Sequence, residues 1–353
     1  MAMKSHLRVA YVVDPRFLGG TSAAVAAELR ECVKLARVSV HAIESRMFLG
    51  RTIAPPLEQA LGDLGLELIW DSKAISADVV ILHNPSFLKF QFELGTRILA
   101  RHLIVVTHEN FLRPGQAEAF DVGRCLDQID RASTALRKSI APVSTYNRRT
   151  VLEWLQTCPP SGSWRVLEAD WFNICEFPRA MPTAQPSDRR GRHSRPGFEK
   201  FPILADMDLC FPEHANANII LGADTYRAAH LHRPHWTMYP FQGIDLAQYF
   251  ELIDFMVYFT APTWRESFGR VLAEAIAAGK IVISDPATAS NFDGAVVAGT
   301  PAEIDTIIKR FIDHPALYAE QVTLAQSKLE AFSGTAFRAQ LLAVLDQTNG
   351  AAE

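Results

Sequence analysis

The sequence predicts an α/β fold built from two doubly wound units. Short apolar segments rich in β-branched residues alternate with helical segments in both halves of the chain, as in parallel sheets covered by helices. A stretch rich in Pro, Ser and Arg, residues 181–197, interrupts this alternation and is interpreted as a loop or linker. A length of 353 residues suits two domains better than one. The two units are therefore expected to join within residues 165–190.

The first half opens with a strand, a glycine loop and a helix. Residues 7–13, LRVAYVV, form a continuous apolar run typical of a strand buried on both faces of a parallel sheet. The helix is predicted over residues 21–36, with Thr21 or Ser22 as its N-cap. The same criteria predict strands at 38–45, 77–84, 101–110 and just before Ser144, and helices at 56–65, 123–138 and from Ser144 or Thr145 to 155.

The second half repeats the alternation after the linker. Strands are predicted at 217–223, 254–260 and 279–285, and helices at 268–279, 301–312, 315–332 and 335–346. Gly279 stops the first of these helices.

Composition limits the function classes. The formal net charge of −4 carries no polyelectrolyte signature, so nucleic acid is not an expected partner. The five cysteines are widely spaced and form no CxxC, which disfavours a disulfide framework or a zinc site and fits a reducing compartment. Residues 1–13 hold an apolar run too short to span a membrane and without a cleavage-site pattern. We therefore expect a cytoplasmic protein, with peripheral association at the inner face of the membrane as an alternative.

The segment FTAPTWRESFGRVLAEAIAAGK, residues 259–280, places one acid before a predicted helix and another inside it. A helix that begins near Phe268 presents unpaired amides and a partial positive charge at its N-terminus, which suits a phosphate. Glu266 stands just outside that terminus, and Glu274 about six residues inside. Carboxylates accept strong hydrogen bonds from hydroxyls, so the arrangement suits a sugar, a diphosphate and a ribose. In the structural alternative, Glu266 only complements the helix dipole and Glu274 lies on a solvated face.

The whole segment resembles the signature of retaining glycosyltransferases of the GT-B fold, in particular family 4. Members carry a Pro-Ser-x-x-Glu-Ser-Phe-Gly loop and then a helix with a second glutamate. Here residues 262–269 read Pro-Thr-Trp-Arg-Glu-Ser-Phe-Gly, with Thr263 at the usual serine position. The resemblance implies that Glu266 binds hydroxyls of the transferred sugar and that Glu274 holds the ribose. It also implies a donor-binding loop and helix start formed by Ser267, Phe268, Gly269, Arg270 and Val271.

Other segments agree with the resemblance. Members carry an Arg and a later Lys that neutralise the diphosphate, and Arg192 and Lys200 match them, with Arg195 as a competitor for the first position. Gly19 and Gly20 match the family's first loop, since glycine permits positive φ and close approach of a ligand. A histidine at a strand end touches the donor sugar in the family; His108 matches it, with His83 as a rival.

The resemblance implies two Rossmann-like domains that face each other across a cleft. Residues 1–165, joined by a returning C-terminal helix in 335–353, would form the acceptor-side domain, and residues 166–334 the nucleotide-sugar domain. The predicted activity is retaining transfer from a UDP- or GDP-linked sugar to a glycan, lipid-linked or small-molecule hydroxyl. No metal or cofactor is expected, because fixed cations would neutralise the diphosphate. The one Asp-x-Asp triplet that could bind a metal, residues 206–208, falls in a candidate loop and is discounted.

Two other function classes stay open at this stage. One is a non-catalytic GT-B-like protein that binds nucleotide or glycan. The other is a different two-domain α/β enzyme such as an NAD(P)-dependent oxidoreductase, although no GxGxxG motif is present. A basic and apolar helix face around Arg148, Arg149, Val151 and Trp154 is a candidate membrane contact, with a solvated helix end as its alternative. Donor sugar, acceptor and oligomeric state cannot be read from the sequence.

Overall fold

The computed structural model describes residues 7–349, which divide into two compact units. The first unit runs to Ile174 and resumes at Phe332, and the second covers Cys175–Ala331. Residues 1–6 of the predicted N-terminal stretch, and residues 350–353 of the predicted C-terminal segment, lie outside the described residues. The observed division falls after residue 174 rather than 165, because the Leu167 and Trp171 amides donate to the carbonyls of Ile140 and Pro142 in the first unit.

The first unit is a parallel sheet with helices packed against it. Its strands are hydrogen-bonded in the order β3-β2-β1-β4-β5-β6-β7, and every pairing is parallel. The strands are β1 (Arg8–Val13), β2 (Arg37–Ala42), β3 (Leu68–Ile69), β4 (Ala74–His83), β5 (Arg97–Thr107), β6 (Ser133–Pro142) and β7 (Trp164–Val166). The helices are α1 (Gly20–Cys32), α2 (Pro55–Leu64), α3 (Val122–Ala132), α4 (Thr145–Thr157) and α12 (Gly334–Asn349).

Local chemistry accounts for most of these elements. The central strands are apolar on both faces because helices cover both faces of the sheet. Ser144 caps α4 as expected, accepting from the Asn147 amide at 3.1 Å. The predicted cap of α1 is wrong: Gly19 occupies the cap position, and the Ser22 hydroxyl donates to the Phe17 carbonyl. The returning C-terminal helix is confirmed, since α12 packs on α1 and Arg338 pairs with Glu31 at 3.2 Å.

The predicted helix 123–138 is wrong in its last part. The helix α3 ends at Ala132, and the next residue begins the ten-residue strand β6, of which the sequence indicated only the apolar end. The first residues of β6 carry exposed and charged side chains, so its hydrophobic alternation is weak. Pairing with β5 over residues 98–107 forces the extended conformation, and Lys138 is held by Asp130 at 2.6 Å.

The second unit has a parallel sheet in the order β10-β9-β8-β11-β12-β13. The strands are β8 (Arg189–His193), β9 (Ala217–Leu221), β10 (Thr237–Tyr239), β11 (Phe255–Tyr258), β12 (Ile281–Ser284) and β13 (Val297–Ala298). The helices are α5 (Leu204–Cys210), α6 (Asp224–Ala228), α7 (Leu246–Glu251), α8 (Arg270–Ala277), α9 (Pro286–Ala289), α10 (Ile304–Asp313) and α11 (Pro315–Lys328).

The strand β8 corrects the sequence interpretation of residues 181–197 as a linker. Its sequence, RRGRH, has no apolar pattern, yet it lies between β9 and β11 in the interior of the sheet. Each buried arginine has specific partners: Arg190 pairs with Asp188 at 2.6 Å and with Asp305 at 2.7 Å, and Arg192 stacks on Phe201. Buried charges are tolerated when they are paired or hydrogen-bonded, which periodicity alone cannot show.

A buried carboxylate fastens the start of the second unit. Asp254 is fully buried and accepts from Arg189, Thr183 and Ser187. Burial raises the pKa of Asp254, but these hydrogen bonds and the Arg189 charge outweigh it, so the pKa lies below its ordinary value. The resulting stability is present above the pKa of the unfolded chain and is lost as the pH falls through the folded pKa.

We expect Asp254→Asn to lower the free energy of unfolding at pH 7 by about 3 kcal/mol, because it leaves Arg189 without its buried partner. Urea unfolding of Asp254→Asn and of Asp313→Asn, an exposed member of the Lys309 pair, measures the effect against a matched control. Equal stability of the two variants would contradict the assigned role.

Candidate functional site

The second unit has a topological switch point between β8 and β11. From β8 the chain moves outward through β9 and β10, and from β11 it moves outward the other way through β12 and β13. In open α/β sheets, ligands bind outside the carboxyl ends of the strands at such a point. Those ends are His193 and Tyr258, and the residues that follow each of them form the candidate site.

Glu266 lies at this edge in a short hydrogen-bond network. Its Oε1 accepts from the Lys200 ammonium at 2.6 Å and from the Tyr258 hydroxyl at 2.5 Å. The side chains of Glu266 and Lys200 are 13% and 10% exposed, so the pair is largely but not fully enclosed. Lys200 also lies 5.2 Å from the centre of the Trp264 ring. The structure therefore brings the predicted acid and the predicted lysine into direct contact.

Electrostatics keep Glu266 ionised at neutral pH. Burial raises the pKa of this carboxyl, but the Lys200 charge and the hydrogen bonds from Lys200 and Tyr258 outweigh it, and the pKa falls below its ordinary value. The Arg195 charge acts in the same direction. A carboxylate in this state is an acceptor for hydroxyl groups.

The helix α8 begins beside Glu266, two residues later than predicted. Gly269 occupies the cap position with φ +99°, a left-handed conformation that glycine adopts without strain, and no side chain caps the helix. A Cβ there would lie 3.2 Å from a methyl of Leu272. The side-chain amide of Asn291 donates to the Phe268 carbonyl at 3.1 Å and stabilises the loop. Arg270 and Val271 form the first turn, so this predicted segment does present a helix N-terminus.

Glu274 faces the strand β8 from the second turn of α8. Its Oε1 accepts from Arg270 at 3.1 Å, and its Oε2 lies 3.7 Å from His193 Nε2. Burial raises the pKa of Glu274 above its ordinary value, although Arg270 partly offsets the effect. Burial lowers the pKa of His193 to about 4, so this imidazole is neutral at pH 7. Glu274 is largely enclosed and does not lie on a solvated face.

Arg192 lies in the interior of the second unit. The side chain is fully buried, 3.9 Å from the Phe201 ring centre, and its guanidinium donates to the carbonyls of Phe259 and Lys200. The guanidinium is therefore enclosed by protein in this structure, and its contact with a diphosphate stays a prediction. Arg195, the competitor, is exposed, with a 3.1 Å ion pair to Glu199. It is the arginine of this segment that a ligand could reach.

The first unit has its own switch point, between β1 and β4. Gly19, with φ +115°, and Gly20 are exposed at the start of α1, which no side chain caps. At the ends of β4 and β5, His83 Nδ1 lies 2.9 Å from His108 Nε2, and the two rings stack at 5.3 Å. Both rival histidines therefore belong to one pair, with His108 half-buried and His83 fully buried.

Two smaller expectations are also corrected. The Asp-x-Asp triplet lies on the helix α5 rather than in a loop, and Asp208 pairs with Arg233 at 2.8 Å. The face around residues 148–154 is not an apolar surface, because Val151 and Trp154 belong to the core and Arg148 pairs with Asp170 at 2.6 Å. None of the helices within residues 7–349 has the length and apolar character needed to span a bilayer.

Comparison with known proteins identifies the fold. No protein-family model matches the sequence, and no curated protein shows significant similarity to it. Solved structures do match, among them Anabaena Alr3699/HepE in complex with UDP and glucose, with a TM-score of 0.66 and 16% identity over 97% of this chain and 100% of that one. The fold is GT-B.

Other solved structures with the GT-B fold agree. Sucrose-phosphate synthase from Thermosynechococcus elongatus gives a TM-score of 0.58 and 15% identity over 98% of this chain and 100% of that one. A glycosyltransferase from Rickettsia africae ESF-5 gives a TM-score of 0.56 and 12% identity over 97% and 98% of the two chains. At such identities the likeness establishes the fold alone.

Sequence reasoning missed three residues of these clusters. Tyr258 was assigned only to an apolar strand, His193 stood in the supposed linker, and Glu28 stood within a helix without a visible role. For His193, the only signal was its place directly after Arg192. For Glu28, the signal was an acid among the small and apolar residues of α1; its side chain is fully buried, with Oε2 3.4 Å from His83 Nε2.

Proposed function

We propose that this protein is a retaining glycosyltransferase that moves a sugar from a nucleotide-sugar to an acceptor hydroxyl. The observation that carries the proposal is the contact of Glu266 with Lys200 and Tyr258 at the switch point, beside the uncapped N-terminus of α8. The fold supports it, since the structurally similar HepE is described in complex with UDP-glucose. We infer a UDP-linked donor on this basis and a glycan, lipid-linked or small-molecule acceptor.

The second unit would bind the donor in three parts. The Glu266 carboxylate would accept from hydroxyls of the transferred sugar, and Glu274 would accept from the ribose. The α8 N-terminus, with the backbone of Ser267 and Phe268, would hold the diphosphate. An ammonium has three donors, and the structure uses one Lys200 donor on Glu266, which leaves others for phosphate oxygens.

Departure of the nucleoside diphosphate develops negative charge on the leaving oxygen. Fixed cations and helix amides stabilise such charge without reorganisation. Lys200 and the exposed Arg195 would supply the cations, and the leaving phosphate would take the acceptor's proton. The mechanism that we propose therefore uses no divalent metal, no cofactor and no enzyme general base. In the first unit, Gly19, Gly20 and His108 would contact the donor.

A ligand screen followed by product analysis tests the proposal. Bound ligand raises the melting temperature by mass action, so UDP-, GDP- and ADP-sugars are compared with NADH and NADPH. We expect stabilisation by a UDP-sugar and release of UDP that increases when acceptor is added, with the anomeric configuration retained by NMR. Binding without release of UDP would favour the non-catalytic alternative, and stabilisation by NADH or NADPH alone would favour an oxidoreductase.

A further inference from the structure

The first unit contains a buried acid that the proposed mechanism does not use. Glu28, on α1, is fully buried, and its Oε2 lies 3.4 Å from His83 Nε2. Among the described residues, neither carboxyl oxygen of Glu28 has a hydrogen-bond partner, nor has His83 Nε2. His83 Nε2 is therefore an available partner of Glu28, and the buried Tyr11 hydroxyl likewise has no hydrogen bond among the described residues. Together with the 2.9 Å contact of His83 and His108, they form a chain from Glu28 through His83 to His108.

Among residues 7–349, no lysine or arginine lies within ion-pair distance of Glu28. Its buried neighbours include Tyr11 and Cys32. Burial, and to a smaller extent the Glu28 charge, raise the pKa of the Tyr11 hydroxyl. Burial also raises the pKa of the Cys32 thiol to about 12. Both neighbours are therefore neutral. The ion-pair partner of Glu28 within residues 7–349 is His83. A buried carboxyl group is costly unless it is paired or hydrogen-bonded, and His83 is the group placed to pair with Glu28.

The position of the carboxyl proton sets the direction of the hydrogen bonds in the chain. When the proton of the Glu28 carboxyl lies between Oε2 and His83 Nε2, on either atom, His83 keeps its own proton on Nδ1; a carboxyl proton on Oε1 would allow the opposite direction, with His83 Nε2–H donating to Glu28 and Nδ1 accepting from His108. In the first of these arrangements, His83 Nδ1–H donates to His108 Nε2. Burial first, and the His83 charge second, lower the pKa of His108 well below its ordinary value, so its ring is neutral. A neutral imidazole whose Nε2 accepts carries its hydrogen on Nδ1.

We propose that Glu28 and His83 are positioning residues that hold His108 in the Nδ1–H tautomer, as a hydrogen-bond donor. His108 would then donate to an oxygen acceptor of a ligand and could not serve as a general base in this state. The tautomer assignment is independent of the proposed function. The identity of the acceptor as an oxygen of the donor sugar rests on that function.

Nitrogen-15 NMR of the histidine rings in the full-length protein tests the tautomer directly, because protonated and unprotonated ring nitrogens have well-separated shifts. We expect hydrogen on His108 Nδ1 and His83 Nδ1, and a bare His108 Nε2. In Glu28→Gln the amide can donate or accept, so we expect a mixture of His108 tautomers, whereas Glu31→Gln on the same helix leaves the wild-type pattern. Hydrogen on His108 Nε2 in the wild type, or an unchanged pattern in Glu28→Gln, would overturn the assignment.

Binding measurements test the ligand contact separately. We expect Glu28→Gln to weaken binding of the stabilising nucleotide-sugar about fivefold, the effect of one neutral hydrogen bond, while its affinity for the free nucleoside diphosphate stays unchanged. Equal affinities of wild type and variant for the nucleotide-sugar would overturn the sugar contact. If no nucleotide-sugar binds the wild type, the proposed function fails, and the NMR result still decides the tautomer.

Discussion

Glu266→Gln is expected to reduce the rate of sugar transfer about 100-fold with little change in fold. The amide keeps the shape of the side chain but loses the charge, and charge-assisted hydrogen bonds are each stronger than neutral ones by about 1–2 kcal/mol. Glu266 accepts from Lys200 and Tyr258 in the structure and would accept sugar hydroxyls in the proposed complex. The variant would therefore weaken the hydrogen bonds that orient the sugar.

Steady-state kinetics with the donor identified by the ligand screen measure this effect. Glu320→Gln, an exposed acid of the same unit, is the matched control and is expected to retain the wild-type rate. Circular dichroism and melting temperature establish that both variants fold. A folded Glu266→Gln variant with the wild-type rate would remove Glu266 from the reaction.

Lys200→Met is expected to act on both binding and stability. It removes an ammonium proposed to contact the diphosphate, so affinity for the nucleoside diphosphate should fall at least tenfold. It also leaves the Glu266 carboxylate buried without its nearest cation, which costs about 3–5 kcal/mol when a buried pair is broken. The double effect separates Lys200 from residues that serve the fold alone.

The pH dependence gives this variant a signature with a definite sign. In the wild type the pKa of Glu266 is lowered, so its contribution to stability is present above the unfolded pKa and is lost as the pH falls through the folded pKa. Without Lys200 the effect of burial is no longer outweighed to the same extent, and the pKa of Glu266 rises. The acid limb of the stability profile should therefore move to higher pH.

Urea unfolding across pH and calorimetric titration with the nucleoside diphosphate measure the two effects. Lys309→Met, at an exposed lysine of the same unit, should change neither. If Lys200→Met binds the nucleoside diphosphate as tightly as the wild type, Lys200 serves only to neutralise Glu266.

The local sequence was sufficient to predict features that depend on residues close together in the chain. The apolar strands, the cap at Ser144 and the glycine at the start of α8 follow from side-chain size, hydrogen bonding and backbone freedom, which act over a few residues. The motif over residues 262–269 also indicated Glu266 as a site residue and a helix that begins close to it. The structure places both at the edge of the second sheet. These features need only neighbours in the chain.

Tertiary structure decided the features that depend on partners distant in sequence. Arg192 and Arg195 are equally basic in the sequence, and only the sheet shows that one is enclosed by Phe201 while the other reaches the surface. His83 and His108 are rivals in the sequence and neighbours in space. Whether a charged side chain is buried and paired or exposed depends on which strands lie side by side, because desolvation and ion pairing are set by surroundings that the residue type does not contain.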